Sequence, residues 1–264
     1  MRPKPKKSLG QNFLQDPNIR RKIISVCNFS GNDTVLEIGP GQAALTGLIA
    51  PRVKKLIAVE LDRILSTELS IQFQDNPSVT IINADFLKYD LSKLSVCPPN
   101  KLKVVGNIPY YITSPIIEHL FSFRERISDI YLTVQKEFGQ RIVAKPGTEH
   151  YGAFSCFVQY YTVPSIEFTI KRTCFFPAPK VDSCFLKLAM RVLPPEIVIN
   201  EDLFFKVIRA SFQKRRKTMR NCLKGMFPDD KLAATFSACN IKSGIRGEEL
   251  GIPEFARIAN ALCR

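Results

Sequence analysis

The sequence has no tryptophan, two histidines (His119 and His150) in 264 residues, and no run of eighteen apolar residues. Without such a run no helix is expected to cross a membrane. Eight cysteines are scattered without a single C-x-x-C pair and without histidines at matching intervals. A structural zinc site is therefore not expected, nor is any other metal. Reduced, mostly buried thiols of a cytoplasmic protein are the simplest reading. The opening stretch, MRPKPKKSLGQNF, is basic and lacks the apolar core of a signal peptide. With tryptophan absent and no basic helix carrying exposed leucine, an anionic membrane surface is a poor candidate partner.

What is present is a large core and a strong positive charge. The chain is 45% hydrophobic and carries 38 Lys+Arg against 24 Asp+Glu, a net charge of +14. The excess sits at the two ends. Residues 1–22 hold seven Lys/Arg against one acid, and residues 201–264 hold thirteen against seven. The stretch between them holds eighteen against sixteen. A nearly neutral body with two basic ends suits a polyanion, with nucleic acid the leading candidate. Candidate phosphate contacts are Lys6, Lys7, Arg21 and Lys22 in the N-terminal arm. In the tail they are Lys214, Arg215, Arg216, Lys217 and Arg220 of FQKRRKTMRN, read as one helix on which Arg216 and Arg220 share a face.

The middle alternates strand-like and helix-like segments. DTVLEI, KKLIAVELD, SVTIINADF, KLKVVGNIP and DIYLTVQKEF read as strands. GPGQAALTGLIA, RILSTELSIQF and SPIIEHLFSF read as the helices between them. That order predicts a Rossmann-like, doubly wound, mostly parallel sheet. VPSIEFTI and VDSCFLKLAM are joined by a segment too short for a helical crossover, which predicts an antiparallel edge. Prolines in RVLPPEIVINEDL mark a linker, after which Leu203, Phe204, Val207, Ile208 and Phe212 form an apolar helical stripe. The expected division is residues 1–199 for the α/β domain with its basic arm and 200–264 for a small helical domain.

EIGPGQAA places Gly39-x-Gly41-x-x-Ala44 between a strand and a helix. Glycines there let a ligand approach the backbone, and a helix N-terminus favours its anionic part. Glu60 ends the next strand, where a carboxylate accepts both hydroxyls of a ribose. Asp85 ends the third strand, placed to accept from an adenine amine or to cap a helix, with Phe86 beside it. These features fit NAD and S-adenosylmethionine alike.

VVGNIPYYITSPI raises a separate question: why a buried strand ends on an amide, a proline and two rings. An exocyclic adenine amine is a weak nucleophile because its lone pair is delocalised. Acceptors for its N–H bonds turn that lone pair toward an electrophile. Asn107 and the carbonyl of Ile108 or Pro109 supply acceptors, Pro109 stiffens the loop, and Tyr110 offers a stacking face for an extruded base. Gly106 and Ser114 are small enough to leave room beside Tyr110 for a second methyl group.

Taken in order, KKSLGQNFLQD, EIGPGQAALT, VELD, NADF, GNIPYYITSPI, FFPAPKVDS and FQKRRKTMRN resemble the blocks of the KsgA-type rRNA adenine N6,N6-dimethyltransferases. The resemblance runs over nearly the whole chain. It implies a class I methyltransferase fold that uses S-adenosylmethionine to dimethylate two adjacent adenines in a hairpin loop near the 3′ end of small-subunit rRNA. It further implies cofactor contacts at Asn12, Leu14, Gly39, Gly41, Glu60, Asp85 and Asn107, and a target-base site at Asn107, Pro109 and Tyr110. The expected partner is small-subunit rRNA or the immature small subunit, and the expected state a monomer. A nicotinamide oxidoreductase would account for Gly39, Gly41 and Glu60 but not for NIPY. A cytosine C5-methylase needs a placed nucleophilic cysteine, and Cys97-Pro98 has its order reversed. A large-subunit rRNA methylase of the resistance type shares the catalytic blocks. A non-catalytic ribosome-assembly factor on the same fold is expected to lack Asn107 or Tyr110.

Overall fold

The structure, a computed structural model, describes residues 5–6, 9–94, 101–214 and 217–263. Lys7, Arg215 and Arg216 lie outside the described residues. The strands are β1 (Phe13–Leu14), β2 (Thr34–Ile38), β3 (Lys55–Glu60), β4 (Val79–Asn83), β5 (Leu102–Asn107), β6 (Ile127–Gln135), β7 (Thr162–Ile170), β8 (Phe175–Phe176) and β9 (Ser183–Met190). The helices are α1 (Pro17–Cys27), α2 (Thr46–Ile49), α3 (Arg63–Gln72), α4 (Thr113–Phe121), α5 (Lys136–Val143), α6 (Ala153–Tyr161), α7 (Glu201–Gln213), α8 (Met219–Leu223), α9 (Asp229–Ala238) and α10 (Ile252–Cys263).

The chain divides into two compact units. The first, residues 1–139 and 165–190, is built on a seven-stranded sheet of order β4-β3-β2-β5-β6-β9-β7. β2 pairs in parallel with both β3 and β5, β3 with β4, and β5 with β6, whereas β9 runs antiparallel to β6. This is the expected class I methyltransferase architecture. Its strands are apolar because both faces are covered: Val35, Leu56, Val105, Tyr131 and Phe185 pack with Ile23, Ile24 and Cys27 of α1. Asp16 caps α1 by accepting from the Asn18 and Ile19 amides, and Pro17 supplies the first-turn residue that needs no donor. From β2 the chain winds outward through β3 and β4. It then returns to the other side of β2 as β5. The sheet therefore reverses between β2 and β5, where open α/β sheets form their crevice.

The second unit, residues 140–164 and 191–264, corrects the expected boundary at 199/200. Tyr151, Cys156 and Tyr160 belong to one buried cluster with Phe204, Val207, Ile208, Phe255 and Ile258. The segment carrying α6 thus joins a helical core built largely from residues far downstream. The apolar stripe of α7 forms as expected, with Leu203 and Phe212 partly buried at its margin. The single tail helix does not form. α7 stops at Gln213, Lys214 and Lys217 are not helical, and Thr218 accepts from the Asn221 amide to start α8. Among the described cysteines, Cys27, Cys156 and Cys184 are buried and four are not, so the thiols are less buried than expected.

Candidate active site

The loop after β2 departs from the expected turn-to-helix geometry. α2 has only four residues and begins at Thr46, so no long helix N-terminus faces a ligand here. Instead Gly39, Gly41 and Ala43 alternate left-handed backbone at φ 64°, 57° and 61°. Gly41 needs to be glycine twice over, because a Cβ would also sit 3.0 Å from the Phe13 ring. At Gly39 the place of a Cβ is empty to 4 Å, leaving open the cavity that this loop lines.

β3 delivers Glu60 to the same cavity, 6% exposed. Its carboxylate accepts from the Gly41 amide at 3.1 Å and the Asp62 amide at 2.8 Å. Burial nevertheless raises its pKa above the usual carboxylate range. Glu37 of β2, 2% exposed, also lines the cavity, and its Oε2 has no hydrogen-bond partner among the described residues. Burial pushes the Glu37 carboxyl up to about 8. Two desolvated carboxyls, one with an unpartnered oxygen, beside an open glycine cradle fit a ligand rich in N–H and O–H donors. The adenosine and aminoacyl parts of S-adenosylmethionine are such a ligand.

Asp85 caps a short 3-10 turn, accepting from the Leu87 amide at 3.0 Å, and it lines the cavity as well. The capping reading of Asp85 thus holds, on a 3-10 turn rather than an α-helix. Phe86 is packed edge-on against the His119 ring at 5.4 Å. The His119 Nε2 lies 2.9 Å from the Tyr89 carbonyl, so α4 holds the Asp85–Tyr89 segment in place.

The fourth wall comes from the N-terminal arm. β1 pairs with β8, matching Phe13 to Phe176 and Leu14 to Phe175. Asn12 and Leu14 line the cavity, and the Leu14 carbonyl is held by the Arg20 guanidinium at 3.0 Å. Asn107, the last residue of β5, donates its amide N–H to the Asn12 carbonyl at 2.9 Å. That bond fixes which way the amide points and leaves Oδ1 as its acceptor. The Pro109 carbonyl accepts from the Ile112 amide at 3.2 Å. Ile108 is therefore the better candidate for a second, main-chain acceptor. Tyr110 is partly buried and its hydroxyl is 2.5 Å from Ser183 Oγ. Burial raises the pKa of this phenol. Gly106 does not provide space for a methyl group. A Cβ there would lie 3.0 Å from the Ile38 carbonyl oxygen, so this glycine serves the close approach of β2 and β5.

The structure thus brings Asn12, Leu14, Gly39, Gly41, Glu60, Asp85, Asn107, Pro109 and Tyr110 to one cavity. The described basic residues read as phosphate contacts do not line this cavity, and most of them have neighbours of their own. Lys6 pairs with the buried Asp62 at 2.8 Å, which holds the Asp62 carboxyl below its usual range against the effect of burial. Arg21 donates to Asn18, and the Lys22 ammonium lies 4.3 Å from the Phe168 ring centroid. Arg220 pairs with Asp229 at 2.9 Å. Lys214 and Lys217 sit at the break between α7 and α8. Glu37 and Gln11 of the cavity lining, and Asp62 beside Glu60, are not among the site residues expected from the sequence. The Gln11 side chain accepts from the Lys6 amide and lies 3.4 Å from Asp62. A buried acid two residues before Gly39, in a strand otherwise apolar, was the available signal for Glu37.

Comparison with known proteins gives the family and the fold. Residues 2–263 match the family model described as ribosomal RNA adenine dimethylase. A ribosomal RNA small subunit methyltransferase A from Moorella thermoacetica is 44% identical, covering 98% of this chain and 92% of its own. The protein of the same description from Geobacillus thermodenitrificans is 43% identical over 97% of this chain and 90% of its own. Among solved structures, a dimethyladenosine transferase from Plasmodium falciparum superposes with a TM-score of 0.80 at 26% identity, covering 93% and 95% of the two chains. The 23S rRNA methyltransferase ErmE shares the fold, with a TM-score of 0.73 at 24% identity over 96% of this chain and 100% of its own. The chain belongs to the ribosomal RNA adenine dimethylase family.

Proposed function

We propose that the protein transfers methyl groups from S-adenosylmethionine to N6 of two adjacent adenines in a 3′-terminal hairpin loop of small-subunit rRNA, as a step in building that subunit. The observation that carries this reading is the orientation of Asn107. One of its two N–H bonds goes to the Asn12 carbonyl, which fixes the amide and leaves Oδ1 as the acceptor that the side chain can offer. An acceptor suits the N–H bonds of an amino base. The small-subunit assignment rests on the relatives described as small subunit methyltransferases at over 40% identity.

When bound, S-adenosylmethionine supplies an electron-poor methyl group. Glu60 is placed for the ribose hydroxyls, Asp85 for the adenine amine, and Asn12, Leu14 and the Gly39–Gly41 loop for the remaining polar atoms. Asn107 Oδ1 and the Ile108 carbonyl accept the N–H bonds of the target amine and orient its lone pair. Tyr110 stacks on the target ring, and Pro109 holds the turn between them. Tyr110 is not a base, because its phenol stays neutral and is already hydrogen-bonded. None is required: once methylated, the nitrogen is acidic enough to release its proton to water. Lys6, Lys7, Arg21, Lys22, Lys214, Arg215, Arg216, Lys217 and Arg220 are the proposed source of phosphate contacts. These set affinity and register rather than base choice. A cytoplasmic monomer acting without metal completes the proposal, and no helix among the described residues is long and apolar enough to cross a membrane.

The test is transfer of labelled methyl from S-adenosylmethionine to immature small subunits and, separately, to large subunits. Dimethyladenosine in the small-subunit rRNA alone supports the reading. Label confined to the large subunit would favour the resistance-type alternative.

A further inference from the structure

FFPAPKVDS contributes one residue that the proposed reaction has not used. Ser183 opens β9 and is fully buried, in a strand whose other buried positions are Cys184, Phe185, Leu186 and Leu188. A serine hydroxyl in such a place costs free energy unless it is hydrogen-bonded. Its partner is the Tyr110 hydroxyl at 2.5 Å. Tyr110 follows β5, Ser183 begins β9, and β6 lies between them. Asn107 is matched with Thr133 of β6, and Ser183 with Gln135 at the end of the same strand.

Ser183 is itself held through the residue before it. The preceding Asp182 accepts from the Arg172 amide through its side chain at 2.9 Å and from the Lys136 amide through its carbonyl at 3.0 Å. The hydroxyl of Tyr110 is thereby fastened to a rigid strand end, while the backbone that carries it is held by Pro109, by the Ile112 turn and by Thr113, whose hydroxyl donates to the Tyr110 carbonyl at 3.0 Å. Stacking on a base needs only the aromatic face, and a phenylalanine has one. The hydroxyl is what fixes the plane of that face.

We propose that Ser183 is a positioning residue for methyl transfer: through its hydrogen bond to the Tyr110 hydroxyl it holds the stacking ring in the one orientation that places the target amine against Asn107. This rests on the functional reading above. Ser183 touches neither base nor cofactor, so its loss acts on turnover and leaves cofactor binding alone.

Three variants, Ser183→Ala, Tyr110→Phe and the double substitution, test it by single-turnover methylation of small-subunit rRNA and by calorimetry with S-adenosylmethionine. Each single change is expected to slow transfer by about tenfold, the order a neutral hydrogen bond contributes. The cofactor Kd should stay within about twofold, and the double variant should be no slower than the slower single. Ser183→Thr keeps the hydroxyl and should recover most of the rate. Losses that multiply in the double variant, or a Ser183→Ala enzyme at wild-type rate, would overturn the proposal. NMR of the Tyr110 hydroxyl proton provides the separate readout. In the wild type it should exchange slowly, and in Ser183→Ala it should vanish into solvent exchange. A slowly exchanging proton in a wild-type enzyme that methylates no adenine would overturn the functional reading and Ser183's role in it, with the bond itself intact.

Discussion

Asn107 is oriented by the chain before any substrate arrives, as its proposed role as an acceptor requires. Replacing it with alanine should cost about 2.7–4 kcal/mol of barrier, the usual loss for one preorganised group acting in the transition state. Calorimetry with S-adenosylmethionine beside single-turnover rates should show the loss in rate, with affinity little changed. Glu60→Ala should show the reverse, affinity falling first. Glu37 gives a prediction of a different kind. Its carboxyl titrates at about 8 in the folded protein against an ordinary 4.5, so between those values the folded state holds the extra proton. Stability of the cofactor-free protein must therefore fall as pH rises through that window, by up to ~1.4 kcal/mol per pH unit. Glu37→Gln removes the titration. Thermal melts from pH 5 to 8 should slope downward for the wild type and less steeply for the variant.

Among the elements, the parallel strands that lead to Gly39, Glu60, Asp85 and Asn107 were legible, because each is a short apolar run closed by a polar or glycine residue. β1 and β8 were not, since two residues cannot show a period, yet their pairing is what brings Asn12 and Leu14 to the cavity. The helix expected after Gly39 shrank to four residues because the backbone is left-handed at three alternate positions. The tail helix broke at Thr218, whose hydroxyl serves the Asn221 amide and starts a new helix. The segment 140–164 reads as a continuation of the α/β pattern and joins the helical core only through packing with residues beyond 200, which no local window contains. Gly41 offers the test at this scale. Gly41→Ala meets both a left-handed backbone, costing roughly 1–2 kcal/mol, and the Phe13 ring. Cofactor affinity should drop more than stability. Gly47→Ala, in α2 with open space around it, should leave affinity unchanged and gain up to ~1 kcal/mol. Equal effects of the two changes on calorimetric Kd would remove the loop from the site.

For the whole molecule the charge remains as read, +14 and concentrated toward the ends, but the cations are not equivalent. Arg220 already faces Asp229, as does Lys224 at 3.5 Å, whereas Lys214 and Lys217 lie in the helix break. Changing Lys214 and Lys217 to alanine should flatten the log-log salt dependence of rRNA binding by roughly 0.7–0.9 for each phosphate no longer neutralised. Arg220→Ala should change that slope less, because its charge is balanced within the protein. Filter binding at several salt concentrations distinguishes the two. In the proposed reaction, cavity and basic ends alike serve to turn an rRNA adenine amine toward a methyl donor. Mass spectrometry of nuclease digests, after immature small subunits are incubated with the enzyme and excess S-adenosylmethionine, reads that outcome without intermediary. The expected product is N6,N6-dimethyladenosine at two adjacent small-subunit positions, abolished by Asn107→Ala. Monomethyladenosine alone, or methyl groups found only on large-subunit rRNA, would contradict this reading of the site.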